Sequence, residues 1–132
     1  MLLDTGALFA TLHQAHSSHD RMSRWLRNTA HFATCGLTQI GAFRLLLTDA
    51  AMNGSPLDPT EAHEVIAQFT GISRHRFLPC PAIAKAVVGK TAGSNASFDD
   101  YLVQIAHDAG TKLVTLDTRL ATRWREQTHV VR

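Results

Sequence analysis

The sequence predicts an α/β protein whose sheet is parallel and built from crossover units. Strand patterns and helix patterns alternate along the whole chain, as such units require. The chain has 132 residues, which is enough for one hydrophobic core and too few for a second folded unit. It contains no repeat, low-complexity tract or linker. We therefore expect a single domain that spans residues 1–132.

Two strands and three helices are predicted in the first half of the chain: strands at residues 2–3 and 32–35, and helices from residue 5, from residue 17 or 18, and from residue 38 to about residue 51. The strands are short apolar runs, and the helices carry apolar residues at helical spacing. In the third helix, Gln39, Phe43 and Leu46 share one face. Asn53 and Gly54 open the turn that ends this helix.

The second half continues the alternation: helices at residues 59–70, 81–88, 97–109 and after residue 117, a small-residue loop at 89–95, and strands at residues 77–78, 113–116 and 130–131. Asp58 precedes Pro59, which is the order of an N-cap and a first-turn proline. Ser97 and Asp100 have capping-box spacing, and Gly110 ends the helix that follows.

Composition excludes some functions and locations. Hydrophobic residues make up 45% of the chain and charged residues 18%, as in an ordinary soluble globular protein. No apolar run approaches the roughly 20 residues that cross a bilayer, and no signal-peptide pattern opens the sequence. We expect no membrane association and a cytoplasmic location. Cys35 and Cys80 are interpreted as buried free thiols at strand ends, and no zinc site is expected.

Three aspartates carry the functional prediction. Asp4 and Asp117 each follow an apolar strand, and Asp99 opens a helical pattern. The carboxyl ends of parallel strands meet at one edge of the sheet, so these residues can share one acidic pocket. Taken singly, Asp4 or Asp117 is better explained as a helix cap or turn residue. Together, on a chain of net charge +2, they point to a divalent metal and a polyanionic substrate.

Helical geometry distinguishes Asp99 from Asp100. Residues three, four and seven positions after Asp99 are Leu102, Val103 and Ala106, so Asp99 lies above an apolar stripe and is predicted to point inward. Asp100 precedes more polar positions and is predicted to face solvent as a cap. Two or three carboxylates around a cavity suit Mg²⁺ or Mn²⁺, which can activate water for phosphodiester hydrolysis.

Four segments carry a family resemblance, and their order and spacing agree with it: LLDTGAL at 2–8, LTQIGAFRLL at 37–46, FDDYL at 98–102 and LVTLD at 113–117. With them, essentially the whole chain resembles the PIN-domain ribonucleases, and most closely the VapC-type toxins of bacterial toxin–antitoxin pairs. The resemblance implies a three-layer α/β/α sandwich, a homodimer, an antitoxin partner, and cleavage of RNA with Mg²⁺ or Mn²⁺ held by four acids.

By motif position, Asp4, Asp99 and Asp117 correspond to three of those acids and are the implied metal ligands. Gln39 stands where the family normally has glutamate. An amide cannot act as a general base, although its carbonyl can hold a metal-bound water. The chain is thus expected to be a nuclease, with three alternatives left open by Gln39: a slow enzyme, one that needs more metal, or a module that binds RNA or antitoxin without cutting. A helix cap is the structural alternative for Gln39 itself.

Other residues and enzyme classes are less well supported by the sequence. Thr5 and Thr115 flank two of the acids and either orient them or serve only the strand ends. A phosphatase of the haloacid-dehalogenase type is disfavoured, because Gly6 replaces its second aspartate, and no glycine-rich phosphate loop follows the first strand. Six basic residues could contact phosphate, and the sequence does not rank them: Arg21, Arg24, Arg27, Lys85, Lys90 and Arg119.

Overall fold

The computed structural model describes residues 1–85, 91 and 93–132. Five strands form one parallel sheet: β1 (Leu2–Leu3), β2 (Phe32–Cys35), β3 (His75–Leu78), β4 (Leu113–Thr115) and β5 (Thr128–Val130). Their order across the sheet is β3-β2-β1-β4-β5. The predicted α/β class and parallel sheet are confirmed.

Six helices lie in the described ranges: α1 (Thr5–Leu12), α2 (His19–Arg27), α3 (Gly36–Leu46), α4 (Pro59–Thr70), α5 (Ser94–Asp108) and α6 (Thr118–Arg123). The proline-led start of α4 is confirmed, because the Asp58 carboxylate accepts the Glu61 N–H at 2.8 Å. None of these helices is long and apolar enough to cross a membrane.

The three central strands β2, β1 and β4 are buried on both faces, which makes the fold a three-layer α/β sandwich. Successive strand residues point to opposite faces, and Leu2 and Leu3 accordingly belong to two different core clusters. Leu2 packs with residues of α5 and α6, including Leu102 and Leu120. Leu3 packs with residues of α1 and α2, including Leu8. Both strand residues are fully buried.

The strand order reverses direction at the centre of the sheet. From β1 the chain moves outward to β2 and β3, and after α5 it returns to β4 on the other side of β1. The segments that leave the carboxyl ends of β1 and β4 therefore diverge to opposite sides. In open parallel sheets this switch point creates the crevice in which ligands bind.

Both boundaries of helix α3 differ from the prediction. Helix α3 begins at Gly36 and ends at Leu46, so it starts earlier and stops sooner than expected. The early start follows from Thr38, whose hydroxyl accepts the Cys35 N–H at 3.1 Å and caps the helix. The helix stops early because the chain turns back on itself, so that the Leu57 N–H donates to the Leu46 carbonyl at 2.9 Å.

The region before β4 also differs. Residues 81–84 are not helical, and the rest of the helix predicted at 81–88 lies largely outside the described residues, as do positions 89, 90 and 92 of the predicted loop. The backbone of 81–84 is held by side chains of α5: Tyr101 donates to the Pro81 carbonyl, and Gln104 bonds to Ala82 and Ala84. These contacts take the backbone groups that a helix would use.

Helix α5 begins at Ser94, so Ser97 lies inside the helix rather than at its cap. The strand and thiol predictions need smaller corrections. Strand β3 starts two residues earlier than expected, and β5 covers residues 128–130 rather than 130–131. Cys35 is a buried free thiol as predicted, whereas Cys80 is free but exposed.

Candidate active site

Asp4 and Asp117 occupy the carboxyl edge of the sheet as N-caps. Asp4 follows β1 and accepts the Ala7 N–H at 2.6 Å, which begins α1. Asp117 lies just beyond β4 and accepts the Arg119 N–H at 2.7 Å, which begins α6. Each carboxylate is therefore fixed by the helix that it caps, at the switch point of the sheet.

The structure brings Asp99 to the same edge. The pKa of the Asp4 carboxyl is raised to about 6: burial is the largest cause, hydrogen bonds from Thr115 and Ala7 oppose it, and the charges of Asp99 and Asp117 add to it. Burial also raises the pKa of Asp99, and the charge of Asp117 acts in the same direction. The three predicted acids thus repel one another at the same edge of the sheet. A cation between them would relieve both the repulsion and the burial of Asp4, which is 6% exposed.

Thr115 connects two of the acids. Its side chain hydrogen-bonds to the Asp4 carboxylate and so favours the charged form of Asp4. The same hydroxyl oxygen accepts the Asp117 N–H at 2.9 Å. Thr115 is fully buried in β4. The structure therefore favours the orienting role among the two roles considered for this residue.

A cavity of about 370 Å³ opens beside the acids, between α1, α3 and α5. Its lining residues are Thr5, Leu37, Ile40, Gly41, Arg44, Phe98, Asp99 and Leu102. Ile40 and Phe98 are 59% and 67% exposed, which is unusual for large apolar side chains. Arg44 brings a positive charge into a cavity that also contains Asp99. The site therefore offers an anion-binding group and apolar surface next to its carboxylates.

The sequence analysis assigned no role to Arg44. It lies in the segment at 37–46 that carries the family resemblance, and the spacing from Ile40 places both residues on one face of α3. That spacing could have indicated that Arg44 lines the same surface as Ile40. It could not indicate that Asp99 lines the same cavity, because Asp99 belongs to a distant part of the sequence that only tertiary packing brings there.

The cavity depends on a close approach between α1 and α3. A Cβ atom added at Gly41 would lie 2.7 Å from Cγ2 and 2.9 Å from Oγ1 of Thr5, both shorter than normal contacts. Glycine at this position allows the two helices to meet beside Asp4. Thr5 thus has a packing role as well as a position on the cavity wall.

The side chain of Gln39 binds Thr34 of β2 and does not line the cavity. Its Nε2 donates to Oγ1 of Thr34 at 3.0 Å, and that hydroxyl also hydrogen-bonds with Nε2 of His75 at 2.7 Å. Gln39 is half-buried, and it is not among the described residues that line the cavity. It does not cap α3 either, because Thr38 does so.

The prediction for Asp100, the residue next to Asp99, is wrong. Asp100 was expected to face solvent, but it is fully buried. Its Oδ1 accepts hydrogen bonds from Nη2 of Arg123 and Nε1 of Trp124, each at 2.7 Å. The prediction failed because α5 is covered on more than one side, so that Leu102 to Ala106 are also all buried. Asp100 thereby ties α5 to the end of α6.

The donor chemistry of the edge fits a hard divalent cation, because its groups are carboxylate oxygens that repel one another. Within residues 1–85, 91 and 93–132, no three histidine, cysteine or acidic side chains stand close enough together to hold a metal ion directly. Mg²⁺ is often held by one or two carboxylates and several waters. At this edge Asp4, Asp99 and Asp117 would hold such an ion in part through its water molecules rather than all three directly.

Neither models of known protein families nor curated proteins match this chain.

Proposed function

We propose that this protein is a metal-dependent endoribonuclease of the PIN-domain type that acts as the toxin of a toxin–antitoxin pair. The observation that carries the proposal is the convergence of Asp4, Asp99 and Asp117. Three distant segments bring these mutually repelling carboxylates to the switch point of a parallel sheet. A catalytic cation site is a physical reason to keep such an unfavourable arrangement.

The proposed function assigns different roles to the residues of the site. Asp4, Asp99 and Asp117 would hold Mg²⁺ or Mn²⁺, in part through water molecules of the ion, and Thr115 keeps the Asp4 carboxylate oriented. When bound, such an ion lowers the pKa of water and neutralises charge on the phosphate oxygens. Arg44 lies on the cavity wall and is placed to pair with a phosphate of the RNA.

The aromatic ring of Phe98 gives the cavity a surface on which a base can stack, since the ring is 67% exposed and directly precedes Asp99. A phosphate contact at Arg44 and a base contact at Phe98 would together place the scissile bond near the carboxylates. RNA with unstacked bases suits this arrangement better than a duplex does.

A second candidate function follows from Gln39. Its amide bonds to Thr34 instead of lining the cavity, so a fourth group at the acidic edge is not provided by the position where the family has glutamate. On this hypothesis the protein is a weak PIN-like nuclease or a module that binds RNA or antitoxin without efficient cleavage. The homodimer, the antitoxin partner and the cytoplasmic location rest on the family resemblance and on the composition.

The test is cleavage of total cellular RNA by the purified protein over a titration of Mn²⁺ and Mg²⁺. Asp4→Asn and Gln39→Glu are assayed beside it. Asp58→Asn is the matched control, because Asp58 is also an N-cap aspartate but lies exposed on α4. All four proteins are compared by circular dichroism, so that a loss of activity can be separated from a loss of folding.

Metal-dependent products that disappear in Asp4→Asn and persist in Asp58→Asn are the expected result. Cleavage by Gln39→Glu alone would select the second candidate. If neither the native protein nor Gln39→Glu cuts RNA at any metal concentration, the nuclease proposal is wrong.

A further inference from the structure

A second open surface lies between α2 and the edge strand β5. It is a groove of about 570 Å³, and the residues of its wall that matter here are Arg21, Arg24, Trp25, His129, Val130 and Arg132. Three of them are arginines, and no described lining residue is acidic. We call this surface the basic groove.

Within residues 1–85, 91 and 93–132, no carboxylate side chain forms an ion pair with Arg21, Arg24 or Arg132, the three arginines of the basic groove. Arg21 donates through Nη2 to Oγ of Ser18 at 2.7 Å, which is a neutral partner. Arg24 is exposed, and it forms no ion pair within the described part of the chain, although Asp20 precedes it by one helical turn. Their charge is therefore available to an anionic partner.

Two rings connect the walls of the groove. Nε1 of Trp25 on α2 donates to Nε2 of His129 on β5 at 3.0 Å, and the ring centroids are 5.9 Å apart. Trp25 remains half-buried, so part of its ring is open to a ligand. Basic grooves that also present aromatic rings are typical of surfaces that bind single-stranded nucleic acid.

One end of the basic groove lies at the same edge of the sheet as the acids. Val130, which lines the groove, pairs in register with Thr115 of β4. Thr115 in turn bonds to Asp4 and Asp117. A strand of RNA that leaves the acidic edge across the carboxyl ends of β4 and β5 would thus reach the arginines.

We propose that the basic groove binds the phosphate backbone of single-stranded RNA outside the catalytic cleft. The inference rests on the proposed function for the identity of the polyanion. Its physical basis is separate, since it depends on three arginines with no ion pair in the described part of the chain, on the rings of Trp25 and His129, and on the edge strand β5. Such contacts bind RNA without regard to sequence and release counterions, so they raise affinity most strongly at low salt.

Helix α2 provides a matched control for this proposal. Arg24 and Arg27 both lie in its last turn, where either can stabilise the helix dipole, and both are exposed. Only Arg24 lines the basic groove. Arg24→Gln and Arg27→Gln therefore remove the same charge from the same turn, and they differ in whether the groove loses it.

The experiment is fluorescence anisotropy of a labelled single-stranded RNA of about 20 nucleotides, measured in EDTA at several salt concentrations. EDTA prevents cleavage, so binding is measured whether or not the protein is a nuclease. The proteins are the native chain, Arg24→Gln, Arg132→Gln, the double variant and Arg27→Gln. An acidic peptide of similar length is the competitor that tests for a protein partner.

We expect Arg24→Gln and Arg132→Gln each to weaken RNA binding about three- to tenfold at low salt, and each to reduce the salt slope by about 0.7. Arg27→Gln should stay within about twofold of the native protein. Equal losses in Arg24→Gln and Arg27→Gln, no RNA binding by the native protein, or displacement of the RNA by the acidic peptide would each overturn the proposal. Normal groove-dependent binding without any cleavage in metal would instead remove only the nuclease proposal.

Discussion

Two neighbouring aspartates on α5 have opposite environments. Asp100 is fully buried, and its charge is met by Arg123 and by the indole N–H of Trp124 at 2.7 Å each. Asp99 is half-buried. Its pKa is raised chiefly by this burial and, to a smaller extent, by the nearby charge of Asp117. The charge of Asp100 is thus compensated by neighbouring donors, whereas the charge of Asp99 lies near other negative charges.

The difference shows that the unfavourable electrostatic interactions of these acids lie at the carboxyl edge of the sheet. A buried carboxylate with a cationic partner can be explained by structure alone. A group of carboxylates that repel one another, with Asp4 buried beneath the group, is costly for the folded state unless a ligand binds there. The acidic edge is therefore expected to matter for activity and to oppose stability, whereas Asp100 is expected to matter for stability.

The largest predicted effect is on catalysis at Asp99. Asp99→Asn removes one carboxylate from the proposed metal site and should lower the rate of metal-dependent RNA cleavage by about 10³-fold, or about 4 kcal/mol. The free energy of unfolding should not fall, and in metal-free buffer at neutral pH it should rise slightly, because the raised pKa of Asp99 shows that its charge opposes folding. Asp108→Asn, an exposed aspartate at the end of the same helix, is the control and should cleave normally. Equal cleavage by Asp99→Asn and the native protein would refute the role of Asp99.

The second prediction concerns the stability provided by Asp100. Asp100→Ala removes the acceptor shared by Arg123 and Trp124 and should lower the free energy of unfolding by about 3 kcal/mol, at the lower end for a buried pair because Arg123 is partly exposed. Asp99→Ala, which makes the same change at the next residue, should cost less than about 1 kcal/mol. Urea unfolding of both variants measures the difference. Similar losses in the two would show that the contrast between the neighbours is wrong.

The sequence predicted the parallel sheet and the identity of the edge acids, because both depend on local patterns and on the rule that carboxyl ends of parallel strands meet. It failed at Asp100, since a single helical face cannot reveal that Trp124 and Arg123 cover α5 from another side. It also missed the position of Arg44 on the wall of a cavity that α3 and α5 share. Contacts between distant segments were beyond local reasoning.

The third prediction concerns pH and the cost of burying Asp4. Its pKa in the folded protein is about 6, above the ordinary value of 3.8, so the folded state holds more protons than the unfolded state between these values. The contribution of Asp4 to stability is present below about pH 4 and is lost as the pH rises through about 6. In metal-free buffer at pH 7.5, Asp4→Asn should therefore be more stable than the native protein by on the order of 2 kcal/mol.

The comparison must be made as a difference between proteins. The pKa values of His16 and His75 are lowered by burial, and these groups change stability in the opposite direction over a neighbouring pH range. Subtracting the Asp4→Asn profile from the native profile removes their contribution. Asp58→Asn should show no gain at pH 7.5, because its exposed carboxylate is hydrated and favoured by the helix dipole. A native protein as stable as Asp4→Asn at pH 7.5 would contradict the predicted conflict between site and stability.

The smallest predicted effect tests the packing that holds the cavity beside the acids. Gly41→Ala places a methyl group 2.7 Å from Cγ2 of Thr5, and the resulting strain outweighs the gain in helix propensity, for a net loss of about 1 kcal/mol. Gly36→Ala is the control in the same helix, because nothing lies within 4 Å of its added Cβ, and it should not lose stability through a clash. Thr5→Ala removes the atoms that clash, so in the double variant Gly41→Ala should cost less than it does alone. If the two changes are additive in urea unfolding, the contact between α1 and α3 does not control this side of the cavity.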